Sequence, residues 1–147
     1  MSVLKIKKLR ESARIPLRAT PGSAGMDLYA CIDREVIVEP HKIAVIPTGI
    51  AIELESADCV AYIYARSGLA IRHGVAPANC VGVIDSDYRG EVCVGLVNQT
   101  DVPYTVAPGE RIAQMVIAPV ILPEIVEVAE LSSTDRGEGG FGSTGRQ

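Results

Sequence analysis

Cys59-Val60-Ala61-Tyr62-Ile63-Tyr64-Ala65 is the stretch on which the fold turns. It carries β-branched and aromatic side chains without glycine or proline. Such side chains lose χ1 freedom in a helix and pack well on a pleated surface, so the stretch predicts a strand. Toward the N-terminus, Ile50, Ile52 and Leu54 alternate with Ala51 and Glu53, the period of a strand with one face inward. Before them, residues 36–39 and 42–47 form two further β runs around Pro40-His41. Toward the C-terminus, residues 91–97 set Val92, Val94 and Leu96 against smaller neighbours. Residues 104–106 enter the turn-former Ala107-Pro108-Gly109-Glu110, residues 111–118 follow, and residues 125–131 read as a last strand. Short strands at a spacing of about ten residues, broken by Pro and Gly, predict a sandwich or barrel. One short helix is expected over residues 67–73, with Ser67 as N-cap and Gly74 as its stop.

The 147 residues suit one domain, and 48% hydrophobic content is enough for a core. With 4% aromatics and no Trp, that core must be built from Val, Ile, Leu and Ala. A net charge of −4 argues against a general nucleic-acid binder, although a few local cations and a metal can still hold a polyphosphate. Cys31, Cys59, Cys80 and Cys93 form no C-x-x-C pair and read as small core residues. His41 and His73 read as surface or loop residues. The basic start of the chain has no apolar h-region, and no run approaches the roughly eighteen apolar residues of a membrane span. A cytoplasmic, reduced protein with no membrane partner is expected.

The glycine-rich end, Asp135-Arg136-Gly137-Glu138-Gly139-Gly140-Phe141-Gly142-Ser143-Thr144-Gly145-Arg146, has no apolar period. It cannot bury enough surface to offset its ordering entropy, so a domain over residues 1–133 and a mobile arm over 134–147 are expected. As a bare composition it fits a solvated tail. It also offers what a phosphorylated, ring-bearing ligand needs: amides and hydroxyls for phosphate oxygens, a guanidinium in Arg136, and the chain's one phenylalanine, Phe141, to stack on a ring.

Four internal segments also look unlike scaffold. Asp27 sits in the small, apolar stretch 22–30, either capping a turn or placed for chemistry. Arg66-Ser67-Gly68-Leu69 puts a guanidinium, a hydroxyl and free amides at a helix start, which suits phosphate and suits an ordinary cap equally. Gly82-Val83-Ile84-Asp85-Ser86-Asp87-Tyr88-Arg89-Gly90-Glu91 reads as a β-hairpin whose loop gathers Asp85, Asp87 and Glu91 around Arg89. Asp-Ser-Asp supplies ordinary turn-formers, so a merely polar turn is the plainer reading, but Asp85 directly follows a strand run, where a carboxylate is rigidly held and suits water activation. Gln114 lies in the apolar run after Gly109-Glu110-Arg111, where a structurally satisfied amide is the plainer reading.

In order and content, residues 24–28, 66–69, 82–90, 109–114 and 136–145 resemble the five motifs of the homotrimeric dUTPase family (deoxyuridine triphosphate nucleotidohydrolases). The resemblance runs from about Pro21 to Gly145, with Ala65 in place of the family's usual proline. It implies an all-β antiparallel jelly roll (β-clip-like), assembled as a homotrimer with sites at subunit junctions. It implies hydrolysis of dUTP to dUMP and pyrophosphate, which keeps uracil out of DNA and supplies dUMP for thymidylate. Asp85 would be the catalytic carboxylate, directing water at the α-phosphorus. Tyr88 would exclude a ribose 2′-hydroxyl. Asn79 and the backbone of Val83 and Ile84 would read uracil. Arg66, Ser67, Gly68 and Gln114 would hold the phosphates, and Arg136, Phe141, Gly142, Ser143 and Thr144 would close the site from the arm. Mg²⁺ would ride on phosphates and water without a direct protein ligand, with Asp27 as a possible outer contact. The related dCTP deaminases share the Arg-Ser-x-Leu segment, but the Asp85–Tyr88 segment and the full arm favour the diphosphatase. A non-catalytic nucleotide binder on this scaffold would be expected to have lost Asp85 or the arm.

Overall fold

The computed structural model describes residues 3–140. Eleven strands and one helix follow the order β1 (Lys5–Lys8), β2 (Met26–Tyr29), β3 (Val36–Val38), β4 (Ile43–Pro47), β5 (Ile50–Glu53), β6 (Cys59–Tyr64), α1 (Ser67–His73), β7 (Val75–Pro77), β8 (Gly82–Ile84), β9 (Cys93–Asn98), β10 (Tyr104–Val106) and β11 (Arg111–Pro119). All pairings are antiparallel. A four-stranded sheet, β2-β11-β6-β8, and a three-stranded sheet, β4-β9-β7, are supplemented by the pairs β1-β5 and β10-β3. This is the all-β jelly roll with one short helix.

The core is aliphatic, as the missing aromatics require. Leu28, Ile46, Leu96, Ile112 and Met115 are completely buried. Polar groups inside are fully engaged. Asn98 donates from Nδ2 to the carbonyls of Val38 and Val102 and accepts at Oδ1 from Thr100, tying β9 to β3 and to the loop before β10. Thr48 donates to the Val92 carbonyl. Among the described residues no buried side-chain nitrogen or oxygen lacks a partner. At Gly49, φ is +70°, and an added Cβ would come within 2.6 Å of the Cys31 sulfur and 2.7 Å of the Ala13 methyl. Only glycine fits that turn between β4 and β5.

Several expectations are corrected. Residues 125–131 form no strand; they are irregular and exposed, with Ile125 at 95% and Leu131 at 88%. Their alternation needs a neighbouring surface that the single chain does not offer. The N-cap of α1 is Arg66, in extended conformation and without a side-chain cap bond, so Ser67 is the first helical residue. Its hydroxyl is therefore left free of capping. Gly74 does stop the helix, in the left-handed region. β8 and β9 do not form a hairpin: β8 pairs with β6, and β9 pairs with β4 and β7. Only Cys31 is a core cysteine; Cys59 is half-buried, and Cys80 and Cys93 are exposed. His41 and His73 are both exposed.

Candidate active site

Strand register builds the first half of the site. Gln114 in β11 lies opposite Asp27 in β2 and opposite Tyr64 in β6. The end of β6 therefore delivers Ala65 and Arg66 beside Asp27 and Gln114. Gln114 Nε2 donates to the Ala65 carbonyl at 2.9 Å. Asp27 accepts from Arg66 Nε at 2.7 Å and from Arg111 Nη1 at 3.1 Å. Its side chain is only 15% exposed. The Asp27–Arg66 pair is thus shielded on both sides, with Arg66 25% exposed, whereas Arg111 reaches the same carboxylate from a side chain 51% exposed. The Asp27 reading as a turn cap gives way to this role. Ser67 and Gly68, both exposed at the first turn of α1, complete a cleft of about 340 Å³. Its lining of guanidinium groups, a hydroxyl, an amide and bare backbone suits a phosphate chain.

A turn anchors the approach to β11. Glu110 accepts from the Ala107 amide and from the Tyr104 hydroxyl. Burial, reinforced by that carboxylate partner, pushes the Tyr104 hydroxyl up to about 12. The staple sets where Arg111 leaves the turn.

β8 and the turn after it build the second half. Gly82 lies against Ile63, whose Cβ would stand 2.9 Å from an added methyl, with Asn79 Nδ2 at 3.6 Å. Asn79, Gly82, Val83 and Ile84 line a slot of about 120 Å³. Next to it, Val83, Ile84, Asp85, Tyr88, Glu91 and Cys93 border a cleft of about 270 Å³. Asp85 is exposed and begins a turn closed by the Tyr88 amide on its carbonyl at 3.2 Å. Arg89 Nη1 donates to the Ser86 and Tyr88 carbonyls, which stiffens that turn. The expected gathering of three carboxylates on Arg89 is thus replaced by carbonyl contacts. The Glu91 carboxylate is engaged by other partners, accepting from the Gly49 amide and Arg10. The Tyr88 hydroxyl donates to the Glu91 carbonyl at 3.0 Å, laying the ring over Gly90. Although Cys93 keeps contact with solvent, partial desolvation of its thiol, with Glu91 nearby, raises it above its ordinary value.

The predicted residues therefore fall into two groups. Arg66, Ser67, Gly68 and Gln114 share one cleft with Asp27, while Val83, Ile84, Asp85 and Tyr88 border the second and Asn79 lines the slot that adjoins it at Val83 and Ile84. Among the described residues the two clefts have no lining residue in common. Arg136 bonds within its own turn, Nε to the Gly139 carbonyl at 2.8 Å. Phe141, Gly142, Ser143 and Thr144 lie outside the described residues. Arg111 belongs to the first cleft, yet its motif assigned it no role. The signal available in the sequence was the unbroken apolar pair Ile112-Ala113 directly after it. Among the described residues no three His, Cys, Asp or Glu side chains converge as metal ligands, and both oxygens of the shielded Asp27 already meet guanidinium groups. A direct protein cage for a cation does not fit this donor set, whereas a cation carried on phosphate oxygens and water does. No helix among the described residues is long and apolar enough to cross a membrane.

A jelly roll with a cationic, amide-lined cleft and a separate carboxylate on a stiff turn is an all-β architecture suited to a phosphorylated ligand. The dUTPase family model matches residues 11–145, and the chain belongs to that family. It is 50% identical to the deoxyuridine 5′-triphosphate nucleotidohydrolase of Desulfitobacterium hafniense, over 99% of each chain. It is 48% identical to that of Neisseria meningitidis, over 97% of this chain and 95% of the relative. Among solved structures, a point mutant of the phage 80alpha dUTPase superposes with a TM-score of 0.86 at 30% identity, covering 96% of this chain and 98% of that one. Another mutant of the same phage enzyme, solved with dUpNHpp, gives 0.84 at 29% identity, over 97% and 98%.

Proposed function

We infer that this chain hydrolyses dUTP to dUMP and pyrophosphate, with Asp85 directing a water molecule at the α-phosphorus. The observation that carries the reading is the pairing of a cationic, amide-lined cleft around Arg66, Ser67, Gly68 and Gln114 with a separate slot beside Asn79, which β8 residues Val83 and Ile84 join to the cleft that Asp85 borders. The first suits a triphosphate, the second a base and sugar. The phage relative solved with dUpNHpp supports this assignment.

In the mechanism, Arg66, Ser67, Gly68 and Gln114 hold the phosphate chain through charge-assisted and neutral hydrogen bonds. Asn79 pairs with the uracil edge together with the Val83 and Ile84 backbone, and the narrow slot rejects a 5-methyl group. Tyr88 packs against the deoxyribose and leaves no room for a 2′-hydroxyl. Asp85 accepts a proton from the attacking water as the new oxygen–phosphorus bond forms, and the bond from the α-phosphorus to the bridging oxygen breaks with release of pyrophosphate. A Mg²⁺ ion bound with the nucleotide supplies charge neutralisation along the phosphates. Holding both reactants in line and excluding bulk water lowers the barrier further.

Residues 1–133 form the β-domain and residues 134–147 the closing arm, with Arg136 meeting the terminal phosphate, Phe141 covering the ring, and Gly142, Ser143 and Thr144 donating near the phosphates. The two clefts come together between subunits of a homotrimer. Two features support that assembly: the clefts are separate on one chain, and exposed apolar residues such as Ile43, Val45, Ile125 and Leu131 ask for cover. The enzyme would work in the cytoplasm.

The test is product release from dUTP, dTTP, dCTP and UTP with Mg²⁺, for the wild type and Asp85→Asn. Selective release of dUMP and pyrophosphate from dUTP is expected, falling by about a thousandfold or more in Asp85→Asn with nucleotide affinity retained. Ammonia from dCTP would point to a deaminase instead, and binding without turnover to a regulatory protein.

A further inference from the structure

In a regular strand Arg111 and Gln114 would face opposite sides of the sheet, because side chains alternate. In β11 the register against β2 slips between Arg111 and Ala113. Ile112 and Ala113 are both fully buried one after the other. The parity of the strand is thereby reversed, and Arg111 and Gln114 open into the same cleft. A bulge re-aims a side chain in this way.

The re-aimed guanidinium meets Asp27. One carboxylate then serves two arginines: Oδ1 accepts from Arg66 Nε and Oδ2 from Arg111 Nη1. Arg66 Nη1 also donates to the Arg111 carbonyl at 3.3 Å. Arg66 is thus held at two of its nitrogens, one of them by the backbone of Arg111 itself. The group carries two positive charges and one negative, so the wall of the cleft stays cationic. Without Arg111, Asp27 could turn both oxygens onto Arg66 as a bidentate pair, drawing donors away from the cleft and cancelling its charge.

We propose that Arg111 is a positioning residue for the triphosphate: it occupies one oxygen of Asp27, and so holds Arg66 in one orientation and leaves that arginine's charge available to phosphate. This rests on the reading of the cleft as the phosphate subsite.

The test uses the full chain and the variants Arg111→Gln and Arg111→Lys, each checked for an unchanged circular dichroism spectrum. Calorimetric titration with inorganic tripolyphosphate reads the cleft without a nucleoside, and dUTP kinetics and dUMP binding run beside it. Arg111→Gln should weaken tripolyphosphate binding roughly tenfold and raise KM for dUTP by a similar factor, with kcat changed less than about threefold and dUMP affinity unchanged. It should also flatten the salt dependence of KM. Arg111→Lys, which keeps the charge but not the planar fork, should fall between; if Arg111→Gln does not fold, this variant decides alone, and wild-type affinity for tripolyphosphate in it overturns the proposal. So does wild-type affinity in Arg111→Gln, or equal losses for dUMP and tripolyphosphate, which mark a general structural role. A wild type that binds tripolyphosphate but leaves dUTP intact refutes the hydrolase reading and not this one; a wild type that binds no tripolyphosphate refutes this one.

Discussion

Gly25→Ala isolates the contact that holds the phosphate cleft open. A methyl group at Gly25 would overlap Gln114 Oε1 and stand 3.1 Å from its Cδ and 3.3 Å from its Cβ. The Gln114 backbone cannot retreat, because it is paired with β2 on one side and β6 on the other. The side-chain amide must swing instead and give up its bond to the Ala65 carbonyl. The lost hydrogen bond costs about 1 kcal/mol, and the crowding adds about 1–2 kcal/mol. For a domain of this size the sum corresponds to a fall in Tm of roughly 5–10 °C. KM for dUTP should rise, since the displaced amide no longer lines the cleft. Differential scanning calorimetry of Gly25→Ala, Gln114→Ala and the double variant, at matched protein concentration, tests the cause. If the Gln114 side chain is the obstacle, the double variant melts close to Gln114→Ala alone. Simple addition of the two losses would refute the reasoning, because the methyl would then be colliding with something else.

The same logic extends elsewhere. Gly90→Ala should push the Tyr88 ring off its seat and break its bond to the Glu91 carbonyl; the preference for dUTP over UTP, read as a ratio of kcat/KM values, should fall about tenfold or more, and an unchanged ratio would remove Tyr88 from sugar selection. Truncation after Thr134 should leave an intact fold, since among the described residues the backbone bonds of 135–140 stay within their own turn or reach Thr134, while turnover drops by at least about a hundredfold through loss of water exclusion; loss of folding would make the arm structural. Tyr104 gives a pH signature. Its folded value is raised to about 12 from 10.0, so the neutral hydroxyl is the form the fold favours. Its contribution is complete below pH 10 and is lost as pH climbs toward 12. Urea midpoints of Tyr104→Phe should therefore decline less steeply over that window than those of the wild type.

How much could be read in advance differs from element to element. β6 is plain, because a run of β-branched and aromatic side chains has few other uses, and β11 follows from an apolar stretch entered from a Pro-Gly turn. β1 is not, since Lys5-Ile6-Lys7-Lys8 offers almost no apolar alternation; it forms because β5 presents a free edge, and Lys5 pairs with Glu53 across it. That ion pair also holds the Glu53 carboxyl below its usual range. Residues 125–131 alternate as a strand should, but pairing needs a partner edge, and alternation carries no information about whether one is available. The supposed hairpin at 82–91 failed for a related reason. Residues 85–88 do form a turn, yet a turn between two strands does not decide that those strands bond to each other.

The residue chemistry was legible along the chain because it resides in residue types at fixed local spacing: a carboxylate after a strand, a hydroxyl and bare amides at a helix start, an aromatic in a glycine-rich end. An aliphatic all-β core followed from composition, since Val, Ile and Leu were the side chains available to fill it. Which of these groups stand together was decided by long-range pairing alone. The register of β2, β11 and β6 brings Asp27, Gln114 and Arg66 into one cleft, a one-residue slip turns Arg111 toward them, and β8 carries Asp85 into a different cleft. Side-chain facing alternates with every residue, so a slip of one position reverses it, and only the folded sheet shows where that slip occurs.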